Sequence, residues 1–234
     1  MRTHQLNPQS LDYVWNDIWV EDVYARPAER FQRAKRRADA FDLERAISSN
    51  AAVLDIGCGS GELLGVLEER CGLLVGLDRS TTALNLAKKR NSGTRIHYLS
   101  GAAEALPLSS NFFDHVIVFG IIEHVRDHQT LISEIHRVMK PGATAFVSSS
   151  NAYSFFQAKN YMLARMGKYR YGFQQNWTAP YLKSVLQQRF RIEQSFIMQG
   201  DSDMPVTTKL DRVVGHFVPS WGRYICFVVS KRDA

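Results

Sequence analysis

Cysteine is scarce in this sequence, with three among 234 residues. Cys58, Cys71 and Cys226 are odd in number and widely spaced, which excludes a disulfide framework and shows no zinc-ligand spacing. A reducing compartment fits that pattern. Long apolar runs are missing too. The longest, residues 116–122 and 225–229, have the length of strands and not of a membrane span. Residues 1–27 hold no apolar core of the signal-peptide kind. No internal repeat, low-complexity tract or linker divides the chain. These absences predict a soluble cytoplasmic protein folded as a single domain over residues 1–234.

What is present can build a core. Hydrophobic residues make up 45% and charged residues 22% of the chain, which excludes collagen-like and disordered classes. The net charge, 29 − 23 = +6, admits nucleic acid, anionic lipid or an anionic substrate as partner and selects none of them.

Residues 1–50 read as helical. Leu11, Val14, Trp15, Ile18 and Trp19 recur at helical spacing, Arg26-Pro27 breaks the pattern, and a charged helix follows over 28–47. Residues 51–150 then alternate. Strands are expected at 51–56, 73–77, 95–99, 112–119 and 144–148. Helices are expected at 62–70, 82–90 and 130–139, the last one stopped by Lys140-Pro141-Gly142. Strands buried on both faces and alternating with helices imply a doubly wound, mostly parallel sheet. Beyond Asn151 the rhythm changes. A helix at 181–188 and strands at 191–198 and 224–229 complete a seven-stranded sheet, with an irregular stretch over 201–221.

The strongest chemical signal is Val53-Leu54-Asp55-Ile56-Gly57-Cys58-Gly59-Ser60-Gly61, a strand running into a glycine-rich turn that opens a helix. Glycines let the backbone pass close to a ligand. Asp78, at the end of the next strand, is placed to accept both hydroxyls of a ribose. A dinucleotide turn reads G-x-G-x-x-G, but here the third glycine comes one residue early and Glu62 stands in its place. Asp55 and Glu62 would repel a pyrophosphate, whereas a ligand with an amino group and a sulfonium tolerates them. By charge alone, S-adenosylmethionine is favoured over NAD.

Asp55-Ile56-Gly57-Cys58-Gly59-Ser60-Gly61 resembles the first motif of the class I S-adenosylmethionine-dependent methyltransferases. Five further segments resemble later motifs of that family: Val75-Gly76-Leu77-Asp78-Arg79-Ser80, Gly101-Ala102-Ala103-Glu104-Ala105-Leu106-Pro107, Asn111-Phe112-Phe113-Asp114 with Val116-Ile117, Glu123-His124-Val125, and Arg137-Val138-Met139-Lys140-Pro141-Gly142. The ordered set covers about residues 50–150, and its flavour is similar to the ubiquinone and menaquinone biosynthetic methyltransferases. The resemblance implies a Rossmann-like α/β sheet with N-terminal helices and a lid insertion after the fifth strand. It implies a cofactor-binding core over 51–150 and a substrate-side part over 151–234.

The resemblance also implies roles. Asp55, Gly57, Cys58, Gly59 and Gly61 would line the methionine part of S-adenosylmethionine. Asp78 would hold the ribose and Arg79 would pack beside the adenine. Ala103 and Glu104 would face the adenine, and Phe119 and Gly120 would lie near the reacting sulfur. Where the family often has an acidic residue bonding the adenine amine, this chain has Ala102. Glu104, a backbone carbonyl or water then takes that role.

Glu123 and His124 follow the fourth strand at the mouth where ligands gather, so they are candidates for a general acid–base pair. The alternative is a cap or a packing contact. His124, Asp127 and His128 are spaced for a metal but lack a second cluster, so no metal is expected. Arg30, Arg33 and Arg37 read as a solvated helix face balanced by Glu29, Asp39 and Glu44, with a nucleic-acid surface as the less favoured alternative. In residues 153–171 an apolar side (Phe155, Phe156, Met162, Leu163, Met166) meets Lys159, Arg165, Lys168 and Arg170. The leading reading is a lid over the substrate, with a peripheral membrane contact or a core helix behind it. On the lid reading, Asn151, Tyr171 and Trp177 contact the acceptor.

The expectation is methyl transfer to a small, hydrophobic or lipid-linked acceptor. The alternatives are an RNA or protein methyltransferase, a non-catalytic cofactor-binding regulator and, more distantly, an NAD-dependent reductase.

Overall fold

The computed structural model describes residues 15–19, 27–92, 95–169, 171, 173–200 and 206–232. Leu11, Val14, Arg26 and Arg170 lie outside them. Seven strands form one sheet: β1 (Ala52–Ile56), β2 (Leu73–Asp78), β3 (Ile96–Ser100), β4 (Phe113–Phe119), β5 (Met139–Ser150), β6 (Phe190–Met198) and β7 (Tyr224–Lys231). Their order is β3-β2-β1-β4-β5-β7-β6. The pairs from β3 through β5 are parallel, while β7 runs antiparallel between β5 and β6. The winding direction reverses between β1 and β4, which opens a crevice at their carboxyl ends.

Side-chain alternation along the strands builds two cores, one on each face. Leu54, Ile56, Val116 and Val118 point to one face and meet α5 (His128–Val138) and α7 (Ala179–Leu186). Val53, Ile117 and Phe146 point to the other, under α1 (Pro27–Ala40), α2 (Leu43–Ala46), α3 (Glu62–Leu67) and α4 (Thr81–Arg90). In α5, Leu131, Ile132, Ile135 and Val138 are buried on one side of the helix. Each such side chain contributes about 1.5–3 kcal/mol of burial. Asp127 caps this helix, its carboxylate accepting from the Thr130 N–H at 3.0 Å.

Three element boundaries differ from the sequence reading. The helix expected over 28–47 is two helices, because Asp42 takes a left-handed φ of 49° between α1 and α2. Lys140-Pro141-Gly142 lies inside β5: the helix ends at Val138, and Met139 already pairs with Phe113 ahead of a register shift. The stretch read as irregular holds α8 (Val206–Phe217).

That last helix is inverted. Thr208 and Asp211 are its buried residues, while Val206, Leu210, Val213 and Phe217 are exposed, Phe217 to 76%. A single anchor explains this. Asp211, 0% exposed, accepts from the Phe155 N–H at 2.6 Å, the Phe156 N–H at 3.4 Å and the Trp221 indole at 2.8 Å. The first two donors belong to the first turn of α6 (Phe155–Arg165), whose free N–H groups favour a carboxylate. Turning Asp211 inward turns the apolar stripe outward. No helix among the described residues is long and apolar enough to cross a membrane.

Candidate active site

Three glycines shape the turn after β1, with left-handed φ at Gly57 (75°), Gly59 (54°) and Gly61 (73°). The Gly57 and Cys58 N–H groups bond the Leu77 carbonyl at 2.7 and 3.1 Å, which ties the turn to β2. Asp78 then clasps it: one carboxylate oxygen accepts from the Gly59 N–H and the other from the Ser80 N–H, both at 2.8 Å. Ser80 caps α4, its hydroxyl accepting from the Ala83 N–H at 3.1 Å. Each Asp78 oxygen keeps a second lone pair for a ligand hydroxyl.

The glycines do not all face the same space. A Cβ on Gly59 would stand 2.5 Å from the Trp19 ring, and one on Gly57 would stand 2.1 Å from Ile121. A Cβ on Gly61 would strike Tyr98 and Asn91, so Gly61 serves the packing of α3 on α4 and β3. The Cys58 side chain points back into the core, its Sγ 2.8 Å from where a Gly76 Cβ would be. Burial, reinforced by Asp55 and Asp78, pushes its thiol well above the ordinary range, which leaves it a poor nucleophile.

Beside the turn lies a cavity of about 210 Å³ lined by Trp19, Arg30, Arg33, Arg37, Asp55, Gly57, Gly59, Glu62 and Phe119 among others. Asp55 is buried, and that burial together with the Asp78 and Glu62 charges raises its carboxyl to about 7, against the opposing pull of Arg37. Phe119 stacks on Phe41 at 4.7 Å and has the Arg37 guanidinium 6.0 Å from its ring. Gly120 (φ 71°) has only Glu123 Oε1 near its Cβ position, at 3.8 Å. On the far side of Asp78, Arg79 pairs with Glu104 at 3.6 Å, and the Gly101 N–H bonds the Asp78 carbonyl at 3.2 Å. Ala102 and Ala103 continue that loop, Ala103 resting on the core.

Glu123 and His124 do not form a dyad. Glu123 is buried and Oε1 accepts from both the N–H and the hydroxyl of Ser150 at 3.0 Å, bracing the end of β5, while Oε2 has no partner among the described residues. His124 Nδ1 lies 2.9 Å from the Phe173 carbonyl. That acceptor requires a proton on Nδ1 and leaves Nε2 with a free lone pair. Trp15 meets the imidazole edge-on at 5.0 Å, and Tyr171 lies 6.4 Å from Trp15. No cluster of three or more metal-ligating side chains occurs among the described residues.

Two expected acceptor contacts have other duties. Asn151 is fully buried, and its amide bonds the backbone of Tyr153, Ser220 and Gly222. It fastens the end of β5 to the segment leading into β7, and its full burial keeps it from the cleft. Trp177 is also fully buried, stacked on Tyr181 at 5.2 Å and edge-on to His128 at 5.1 Å. It is a core residue. Tyr171 is exposed and stays beside Trp15.

The sequence reading missed the cover of this site. Helical residues 15–19 lie across it: Asn16 accepts from the Ser80 hydroxyl at 2.8 Å, Trp15 reaches His124, and Trp19 fills the space above Gly59. Arg30, Arg33 and Arg37, taken as a solvated face, line the cavity instead, with Arg30 4.3 Å from the Trp19 ring. Their helical spacing was the available signal, but periodicity says nothing of which neighbour a charged face meets.

Known proteins share these features. A family model described as a methyltransferase domain matches residues 54–147. A ubiquinone biosynthesis O-methyltransferase of Chelativorans sp. (strain BNC1) is 31% identical over 150 residues, 63% of this chain and 53% of that protein. The chain thus spans about half the length of the curated relatives it matches. Among solved structures, a chain of the complex between the Haloferax volcanii Trm112 methyltransferase activator and its methyltransferase superposes with a TM-score of 0.72 at 18% identity, covering 94% of this chain and 98% of that one. The N-methyltransferase NodS of Bradyrhizobium japonicum WM9, in complex with S-adenosyl-L-homocysteine, gives 0.66 at 16% identity, covering 96% and 98%. Ordered motifs, the sheet topology and the matched segment agree: residues 54–147 match the methyltransferase-domain family model, and the fold is that of the class I S-adenosylmethionine-dependent methyltransferases.

Proposed function

We propose that the protein transfers a methyl group from S-adenosylmethionine to the oxygen of a small acceptor. The observation that carries this is the clasp of Asp78 on the glycine turn beside a cavity that holds both carboxylates and guanidinium groups. The cavity suits an amino acid. Asp55 and Glu62, the latter also paired with Arg90, offer carboxylate oxygens to an ammonium, Arg33 and Arg37 offer donors to a carboxylate, and Asp78 offers lone pairs to ribose hydroxyls. Arg79, Ala102, Ala103 and Glu104 would flank the adenine. Asp55, Gly57, Cys58, Gly59 and Gly61 shape the methionine end, with Phe119 and Gly120 below it. Bound there, S-adenosylmethionine supplies a methyl carbon already activated by the sulfonium charge.

The chain's own residues then align and enclose. Trp15, Asn16 and Trp19 cover the cleft and exclude water, and alignment of this kind accounts for much of the acceleration. His124 takes the proton of an acceptor hydroxyl on Nε2 while the Phe173 carbonyl holds its tautomer. The O-methyltransferase names of the relatives support an oxygen acceptor. Calorimetric titration with S-adenosylhomocysteine and a radiolabelled methyl-transfer assay on a panel of catechols test this reading. Micromolar binding and turnover are expected, with His124→Gln lowering kcat by about 100-fold while leaving S-adenosylhomocysteine affinity intact. Absence of S-adenosylhomocysteine binding would sink the proposal.

A second reading concerns where the acceptor is met. The outward stripe of α8 (Val206, Leu210, Val213, Phe217) lies on the helix that packs against α6, where Tyr161, Met162 and Met166 are exposed. Lys159, Arg165, Lys168, Lys209 and Arg212 stand on the same two helices or just beyond them. An apolar stripe flanked by cations suits a peripheral contact with an anionic lipid surface. Co-sedimentation with phosphatidylglycerol vesicles is expected, and Val213→Glu/Phe217→Glu should abolish it. Equal pelleting of wild type and variant argues against this face.

A further inference from the structure

Beyond the carboxyl ends of β4 and β5, on the acceptor side of a doubly wound fold, stands a carboxylate that the fold leaves half used. Glu123 is 2% exposed. Its Oε1 accepts from the Ser150 N–H and hydroxyl, while Oε2 has no partner and the side chain forms no ion pair among the described residues. Arg126 and Lys168 are exposed, and the Arg126 guanidinium lies over the Phe173 ring at 4.7 Å. A carboxylate buried without a cation is costly and calls for one. Space remains beside it: a Cβ added to Gly120 would meet Glu123 Oε1 at 3.8 Å and nothing nearer.

Aromatic rings complete a circuit with this carboxylate. His124, next in the chain, meets Trp15 edge-on at 5.0 Å, Trp15 lies 6.4 Å from Tyr171, and Tyr171 lies 5.5 Å from Tyr169. The circuit closes electrostatically. Burial pushes the Tyr169 phenol up, and the charges of Glu123 and then Tyr171 push it further. Nearby cations would pull it the other way. The Tyr169 hydroxyl donates to the Gln174 amide oxygen, which leaves the phenol oxygen as an acceptor. Electron-rich rings, an acceptor oxygen and a spare carboxylate oxygen are the surroundings that an ammonium group prefers.

We infer that Glu123, with Trp15, Tyr169 and Tyr171, receives an ammonium group carried by the methyl acceptor. The inference rests on the methyltransferase reading and narrows its acceptor to a hydroxylated amine. Glu123 is then a specificity-determining residue: Oε1 keeps its bonds to Ser150 and Oε2 takes an ammonium N–H. His124 Nε2, one residue along the same turn, stays available for the acceptor hydroxyl. An amine held as a cation has no lone pair to attack the methyl carbon, so transfer falls on the hydroxyl oxygen.

The test compares phenols that differ in the charge of one side arm. Tyramine, 4-ethylphenol and 4-hydroxyphenylacetate are titrated calorimetrically, at neutral pH, into the full chain saturated with S-adenosylhomocysteine. Tyramine is expected to bind at least about tenfold more tightly than 4-ethylphenol, as a charge-assisted hydrogen bond implies, and 4-hydroxyphenylacetate more weakly than either. In Glu123→Gln that preference should vanish. The carboxamide oxygen can still accept from Ser150, and a thermal melt matching wild type verifies folding. Where that variant melts early, Trp15→Leu decides, with an expected fall of about threefold in the preference for tyramine. Tyramine binding that is absent or no tighter than that of 4-ethylphenol overturns the inference. So does a preference that survives intact in the deciding variant. Failure of the S-adenosylhomocysteine titration is a separate readout that overturns the underlying reading instead.

Discussion

Asp78→Ala is expected to weaken S-adenosylhomocysteine binding by about 100-fold or more, measured by calorimetry. Two losses combine. The carboxylate would no longer accept from ligand hydroxyls, and the Gly59 and Ser80 N–H groups would lose the acceptor that holds the turn in shape. Two charge-assisted hydrogen bonds at about 1.5–3 kcal/mol each account for the magnitude. Asp78→Asn separates the roles. A carboxamide offers one acceptor oxygen and no charge, so an intermediate loss is expected. Wild-type affinity in Asp78→Ala would show that the ligand, if any, binds elsewhere.

Trp177→Ala is expected to destabilise the protein by about 3–5 kcal/mol, as for other aromatic truncations in a packed core. For a chain of this length that corresponds to a melting temperature lower by roughly 6–20 °C. Trp177→Phe should be far milder, because the indole N–H has no partner among the described residues and its removal leaves no donor or acceptor stranded. Differential scanning calorimetry checks both. If Trp177→Phe kept full stability but lost acceptor turnover, the core assignment would be wrong and the expected acceptor contact restored.

These two residues show how far a motif can be carried. Asp78 ends β2 next to a glycine turn, so its location follows from chain order and from the rule that ligands gather where strand order reverses. Trp177 and Asn151 were placed at the acceptor because both follow β5. The space there is instead closed by contacts that chain order does not reveal: the Asn151 amide on Ser220 and Gly222, and the Trp177 ring between His128 and Tyr181.

Glu123 and His124 teach a related lesson. They are neighbours in the chain after β4, yet one faces Ser150 and the other the Phe173 carbonyl. Adjacent residues leave a turn in different directions, so proximity in sequence is weak evidence for a proton relay.

Local chemistry was enough to place most of the strands and helices, the parallel order of the first five strands, the glycine turn and Asp78. Each depends on periodicity, on backbone freedom or on a short connection, and these act over a few residues. Packing decided the rest. The inversion of α8 comes from one buried carboxylate seeking the N-terminus of α6, 56 residues away in the chain for the Phe155 N–H. The arginines of α1 became cavity walls because Ala34 and Ala38 had to bury against the core beneath them, which turned the charged flank toward the crevice. A periodic pattern states that a face exists. Only the arrangement of everything else states what that face meets.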